Sequence, residues 1–226
     1  MGWLSKSLSS SIGKKFIMAL TGLSLILFLS VHLINNSFLF FGKEGFNTLV
    51  GSLDAVKPLV RVAELILVLL FGYHIYNGIK LWWENLQTKP DKFARGKYVI
   101  NASKENSTFY SRTMPYTGAI VLVFLITHLS TLWVQFNFGM GGHHEYYDVI
   151  AALFSSIGNV ILYVVTMIVL GFHLNHGFQS AFQTFGWQHK KYTPFVKALG
   201  TLISLVYAIG FSSIPIYFFI LSMGGN

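Results

Sequence analysis

The stretch TGLSLILFLSVH at residues 21–32 returns as TGAIVLVFLITH at 117–128: Thr-Gly, nine residues, then His, with no charged side chain in either copy. Each copy is followed by a second apolar run with its own pattern, His74 four residues before Gly78 and His173 four before Gly177. The order is therefore T-G-x9-H, then H-x3-G, and the same again. A repeat of this length predicts a pair of helices built twice.

Composition says where those helices lie. Of 226 residues, 53% are hydrophobic and only 11% charged, with a mean hydropathy of +0.56, against about 25% charged in a soluble domain. A bilayer core needs about 20 mostly apolar residues per helix. Five stretches meet that requirement, at about 16–41, 59–83, 115–138, 157–182 and 195–221. The expectation is an all-α, single membrane domain over 1–226: a five-transmembrane-helix bundle with a parallel internal two-helix repeat. Lys14 and Lys15 before an apolar run resemble the start of a signal peptide. The run continues to Phe41 with no small-residue cleavage site, so it reads as a retained first span.

The net charge of +8 does not point to nucleic acid. Thirteen of the sixteen lysines and arginines fall before span one, from Lys80 to Arg112, or between spans four and five, and only Lys43, Lys57 and Arg61 lie between spans one and two. By the positive-inside rule the N-terminus is cytoplasmic and the C-terminus outside. Topology then accounts for the basic excess. Segment 84–112, with both charge signs, Pro90 and several aromatics, reads as a cytoplasmic loop able to meet a partner or lipid headgroups.

Cysteine is absent, which excludes disulfides, thiolate zinc, iron–sulfur clusters and covalent haem attachment. Metal chemistry must rest on other ligands. Of eight histidines, His143, His144 and His189 fall in loops, while His32, His74, His128, His173 and His176 fall within spans. Spans one to four each carry at least one, and span five none. An ionisable residue inside a membrane points to function.

Depth sorts these histidines. At about 1.5 Å per residue, His32 and His128 lie roughly 6 Å and 3 Å beyond the middle of their spans toward the outside, and His74 and His173 about 4–5 Å toward the inside. Two pairs at two depths suit two b haems, one held by His32 and His128, the other by His74 and His173, since bundles build metal sites from facing helices. Thr21 and Thr117, eleven positions from a His, and Gly78 and Gly177, four from one, lie near the His faces of their helices, and these glycines with Gly22 and Gly118 are the candidate contacts of a flat ligand. Small-residue helix packing would explain glycines alone, but not glycine at a fixed spacing from a repeated His. His176, three residues from His173, points within about 60° of it, so periodicity excludes neither. The H-x3-G pattern favours His173 as the ligand and leaves His176 as a neighbour of the cofactor.

The ordered set resembles the five-helix, two-haem cytochrome b subunits of succinate:menaquinone and quinol:fumarate reductases. It covers nearly the whole chain: Thr21-Gly22 to His32, Phe46-Asn47 in the first outer loop, Tyr73-His74 through Gly78, Thr117-Gly118 to His128, and Phe172-His173 through Gly177, Ser180 and Gly186-Trp187. The resemblance implies His32 and His128 on the distal haem, His74 and His173 on the proximal one. It also implies a flavoprotein and an iron–sulfur subunit on the cytoplasmic face, with menaquinone bound in the membrane. This chain has neither cysteines nor a Gly-rich dinucleotide fingerprint, so succinate chemistry would belong to those partners. Candidate carboxylates for a quinone site are Glu64, Glu44 and Asp54, with Glu64 also placed to pair with Arg61 at i, i+3. Some fumarate-reducing relatives carry Glu two residues before the fourth ligand. Here that position is Gly171, which favours succinate oxidation. Two other readings share some features: the haem b subunit of a hydrogenase or formate dehydrogenase complex, and a transporter with proton-relaying histidines.

Overall fold

The computed structural model describes residues 2, 7, 10–87, 109–138 and 146–224, with 109–111 given as backbone only. Most of the 84–112 segment, together with His143 and His144, lies outside these residues. Among the described residues five helices are long and apolar enough to cross a membrane, and the chain is a multi-pass helical membrane protein.

Helix α1, Ser11–Ser37, starts at Ser10, whose hydroxyl accepts from Gly13 N at 3.0 Å and satisfies one of the free amides of the first turn. It tightens into a 3₁₀ turn, Phe38–Phe41, and stops at Gly42, where φ is +83°. Only glycine adopts that backbone without strain. The chain leaves in a new direction as α2, Gly42–Asp54. The expected outer loop around Phe46-Asn47 is thus a helix, with Phe46 buried and Asn47 accepting from Tyr147 N at 3.4 Å. Hydropathy hides such a helix because it is amphipathic rather than apolar.

Helix α3, Lys57–Gln87, is the second span. The third, α4, Phe109–His128, runs into a π turn, Leu129–Trp133, and continues as α5, Val134–Phe138. A short helix α6, Tyr146–Phe154, precedes the fourth span α7, Ile157–Thr184, and the fifth is α8, Thr193–Gly224. The end of α7 explains the Gly186-Trp187 motif. Gly186 has φ +74°, its N–H bonds the Gln183 carbonyl at 3.1 Å, and Trp187 N–H bonds the Phe182 carbonyl at 3.0 Å. This glycine cap carries its usual apolar closure, the Phe182 and Trp187 rings 5.6 Å apart.

Helix α7 is the hub, packed against α1, α4 and above all α8. Small residues bring α7 and α8 together: a Cβ on Gly171 would sit 3.2 Å from Ala208 Cβ, and one on Gly200 2.9 Å from the Phe178 ring. Close approach of small residues is the main packing device where lipid removes the hydrophobic drive. Tyr207 of α8 bonds the Ile26 carbonyl of α1 at 3.1 Å and also meets Ser30. At the end opposite the N-terminus, α2 and α6 fold over α7 and α8 through Leu39, Phe46, Ile150, Phe154, Tyr163, Ile214 and Phe218.

Helix α3 is the exception. Among its described residues only Asn77 is buried, and it barely touches α4 although the two are consecutive spans. Its apolar side chains, Leu65, Ile66, Val68 and Leu69 among them, are exposed and suited to lipid.

Candidate functional site

Four half-buried histidines meet inside the bundle in two pairs. His32 of α1 faces His128 of α4 with ring centres 6.0 Å apart and planes at 87°. His74 of α3 faces His173 of α7 with ring centres 6.5 Å apart and planes at 70°. Antiparallel neighbours put the two pairs at different depths, the second nearer the N-terminal end of α1.

The separations are chemically informative. Imidazole nitrogens bind first-row metals at about 2.0–2.1 Å and ring centres lie about 1.1 Å behind them, so two imidazoles in line on one ion have centres about 6.2–6.4 Å apart. Both pairs bracket that distance. Among the described residues no three of His, Asp or Glu converge on a common point. Each pair could offer two ligands, which would fit a metal whose other positions are filled by a macrocycle rather than a bare ion. The thin contact between α3 and α4 and the open space beside Gly177, where a Cβ would meet nothing within 4 Å, leave room for a flat group.

The Thr-Gly motifs lie elsewhere than their spacing to His32 and His128 implies. Thr21 Oγ1 is 3.1 Å from His74 Nδ1, and Thr117 Oγ1 is 3.2 Å from His173 Nδ1. A Cβ added to Gly22 would stand 3.5 Å from His74 Cε1, and one on Gly118 3.5 Å from His173 Cε1. Each Thr-Gly therefore receives the imidazole of the next span. Gly78 faces Met18 of α1, its added Cβ falling 3.2 Å from that side chain.

The other pair is held differently. His128 Nδ1 is 3.2 Å from the Tyr163 hydroxyl, and the ring stacks on Phe124 at 5.5 Å. His32 lies between Phe28 at 5.3 Å and Phe211 at 5.7 Å. Phe211 brings α8, which carries no histidine, into the site. His176 is half-buried beside the second pair, and it is His173 that presents its ring to His74. His189 sits past the end of α7, stacked near Tyr192 at 5.6 Å.

Of the candidate carboxylates, Glu64 is embedded in a network at the end of the bundle nearest His32 and His128. Arg61 Nη1 donates to Glu64 Oε2 at 2.6 Å, and Trp133 Nε1 donates to Oε1 at 3.1 Å. Arg61 Nη2 reaches Asn137 Oδ1 at 2.5 Å. Trp133 and Asn137 carry no sequence signal. Trp133 reaches Glu64 from within the π turn after His128, and Asn137 reaches Arg61 from just beyond it; such a local distortion is frequent at functional sites. Asp54 pairs with Lys57 at 3.5 Å and accepts from Tyr146, whose hydroxyl pKa is pushed up by partial burial and by the Asp54 charge. Glu44 is exposed in the first turn of α2, where the helix N-terminus favours a carboxylate.

Fold and site together define a class: a helical membrane protein with two stacked pairs of facing imidazoles. The chain is similar to the succinate dehydrogenase cytochrome b558 subunit of Bacillus subtilis (strain 168), with 24% identity over 193 residues that cover 82% of this chain and 84% of that one. The resemblance drawn from the ordered motifs agrees with this similarity. No family model matches the chain, and no solved structure does.

Proposed function

We propose that this chain is the di-haem cytochrome b membrane anchor of a bacterial succinate:menaquinone oxidoreductase. The observation that carries the reading is the pair of facing imidazole sets, at 6.0 and 6.5 Å, stacked along the membrane normal. The similar cytochrome b558 subunit supports the choice of complex. His74 and His173 hold the haem nearer the cytoplasm, His32 and His128 the haem nearer the outside. Haem b when bound supplies a one-electron carrier, and two at two depths link an iron–sulfur partner on the cytoplasmic face to a quinone in the membrane.

The chain's own residues do three things in this reading. The imidazoles fix the positions and axial chemistry of the two sites. Apolar walls from Phe28, Phe124 and Phe211 exclude water from the outer one. Glu64 offers a carboxylate oxygen, beside Trp133 and Arg61, to take a proton from menaquinol or return one to menaquinone. Asp54 and Glu44 are secondary positions for the same exchange. Succinate is handled by a flavoprotein and an iron–sulfur subunit seated on the cytoplasmic end, where Lys14 meets Glu84 and the 84–112 segment begins.

Gly171 bears on direction. A Cβ there would press on Ala208 Cβ at 3.2 Å and the Ser204 carbonyl at 3.4 Å, so this packing has no room for a glutamate. The reading is accordingly succinate oxidation. A haem b subunit of a hydrogenase or formate dehydrogenase would share the chemistry but not the motif order, and a transporter would lack haem. Purification of the tagged chain from membranes tests all three. The expected result is haem b bands in the reduced-minus-oxidised spectrum and copurification of a flavoprotein with a cluster-bearing subunit. Absence of haem bands would sink the reading, and hydrogenase or formate dehydrogenase subunits as companions would redirect it.

A further inference from the structure

The hydroxyls of Thr21 and Thr117 have a role beyond helix packing, because each has a backbone carbonyl of its own helix to take its proton and an imidazole nitrogen beside its oxygen. A threonine hydroxyl has one proton to donate. That of Thr21 points at its own helix, 2.9 Å from the Ile17 carbonyl and 3.1 Å from that of Met18. That of Thr117 points at the Met114 carbonyl at 3.1 Å. With its proton on its own helix, each oxygen is free to accept from the imidazole it touches, 3.1 Å away for His74 and 3.2 Å for His173. In that arrangement Nδ1 carries the hydrogen and the Nε2 lone pair is left for a metal. The adjacent glycines complete the arrangement. With Gly22 and Gly118 the imidazole lies against the neighbouring helix at van der Waals distance, and any side chain longer than a methyl would push it off the hydroxyl.

We infer that Thr21 and Thr117 are positioning residues that fix both imidazoles of the inner pair in the Nδ1–H tautomer and tune that haem alone. The inference rests on the di-haem reading. An acceptor on Nδ1–H makes the imidazole a stronger electron donor, which favours the ferric over the ferrous state. The outer pair has no equivalent. Tyr163 can rotate its hydroxyl to give or take a proton at His128, and among the described residues His32 has ring neighbours but no side-chain hydrogen-bond partner. The chain therefore sets its two haems by different means. The restraint spans the repeat: span one holds the histidine of span two, and span three holds that of span four.

The test is redox titration, with haem counting, of the whole chain in membranes bearing Thr21→Val, Thr21→Ser, Thr117→Val or the control Ser24→Ala, whose hydroxyl is exposed on the same helix. His74→Ala and His32→Ala identify which potential belongs to which haem. Thr21→Val and Thr117→Val are each expected to raise the potential of the haem missing from His74→Ala. A shift of about tenfold in ferric over ferrous binding corresponds to about 59 mV for one electron. Thr21→Ser and Ser24→Ala should titrate as wild type. Movement of both potentials together, movement of the haem missing from His32→Ala, no movement, or a serine variant that behaves like valine would each overturn the inference alone. Should Thr21→Val lose its haem outright, retention at the wild-type potential in Thr21→Ser upholds the assignment and loss there refutes it. A wild-type chain without haem overturns the functional reading and this inference together.

Discussion

The indole N–H of Trp133 donates to Glu64 Oε1 at 3.1 Å, tying the π turn after His128 to the N-terminal part of α3. In the proposed function the bond joins the helix of His128 to the carboxylate assigned to quinone protons. Glu64→Gln keeps the shape and removes the proton acceptor. Succinate-to-quinone turnover should fall roughly a hundredfold, the lower range for loss of a general base, while succinate-to-dye activity and haem content stay at wild type. Trp133→Phe, which leaves the Arg61 pair intact, should cost less. Unchanged quinone turnover in Glu64→Gln would remove Glu64 from the mechanism.

Both haems should be low-spin and six-coordinate, because each pair supplies two imidazoles. Haem assay should give two per chain, and carbon monoxide should not bind the native protein. The ring planes cross at 87° in the outer pair and 70° in the inner, so both ferric signals in electron paramagnetic resonance should be strongly anisotropic, the outer more so. A ratio near one would contradict the assignment.

His173→Ala should lose the inner haem, whereas His176→Ala should keep both haems with at most a shifted potential. It is His173 that faces His74, at 6.5 Å. Haem content of the two variants side by side decides, and the reverse outcome would make His176 the ligand.

Topology can be read cleanly in a chain without native cysteine. K191C should react with a membrane-impermeant thiol reagent only after cells are opened. K57C, at the start of α3, should react in intact cells. The opposite pattern would invert the orientation and move the soluble partners to the other face.

Gly171→Leu should destabilise the fold without touching a ligand. Its side chain would be forced against Ala208 and the Ser204 carbonyl. Overpacking of this kind costs about 1–3 kcal/mol, or about 2–12 °C in Tm for a chain of this size. Thermal unfolding in detergent measures it, and an unchanged Tm would show that α7 and α8 can separate at no cost.

The sequence by itself determined the five spans, the concentration of histidine in four of them and the two depths at which those histidines lie. These follow from one-dimensional quantities: apolar run length against bilayer thickness, and a fixed rise per residue. The tertiary structure alone decided what each motif touches. Thr21 and His74 are 53 residues apart, and Thr117 and His173 are 56 apart. Spacing along α1 ties Thr21-Gly22 to His32, yet rotation and register between helices turn it toward α3. Hydropathy was equally silent about α2 and α6, which are short and amphipathic, about Phe211 in the outer site, and about the π turn that delivers Trp133 to Glu64. Contacts between helices depend on how each rotates about its axis and how closely small residues let them approach. That information is shared among several segments and is carried by none of them singly.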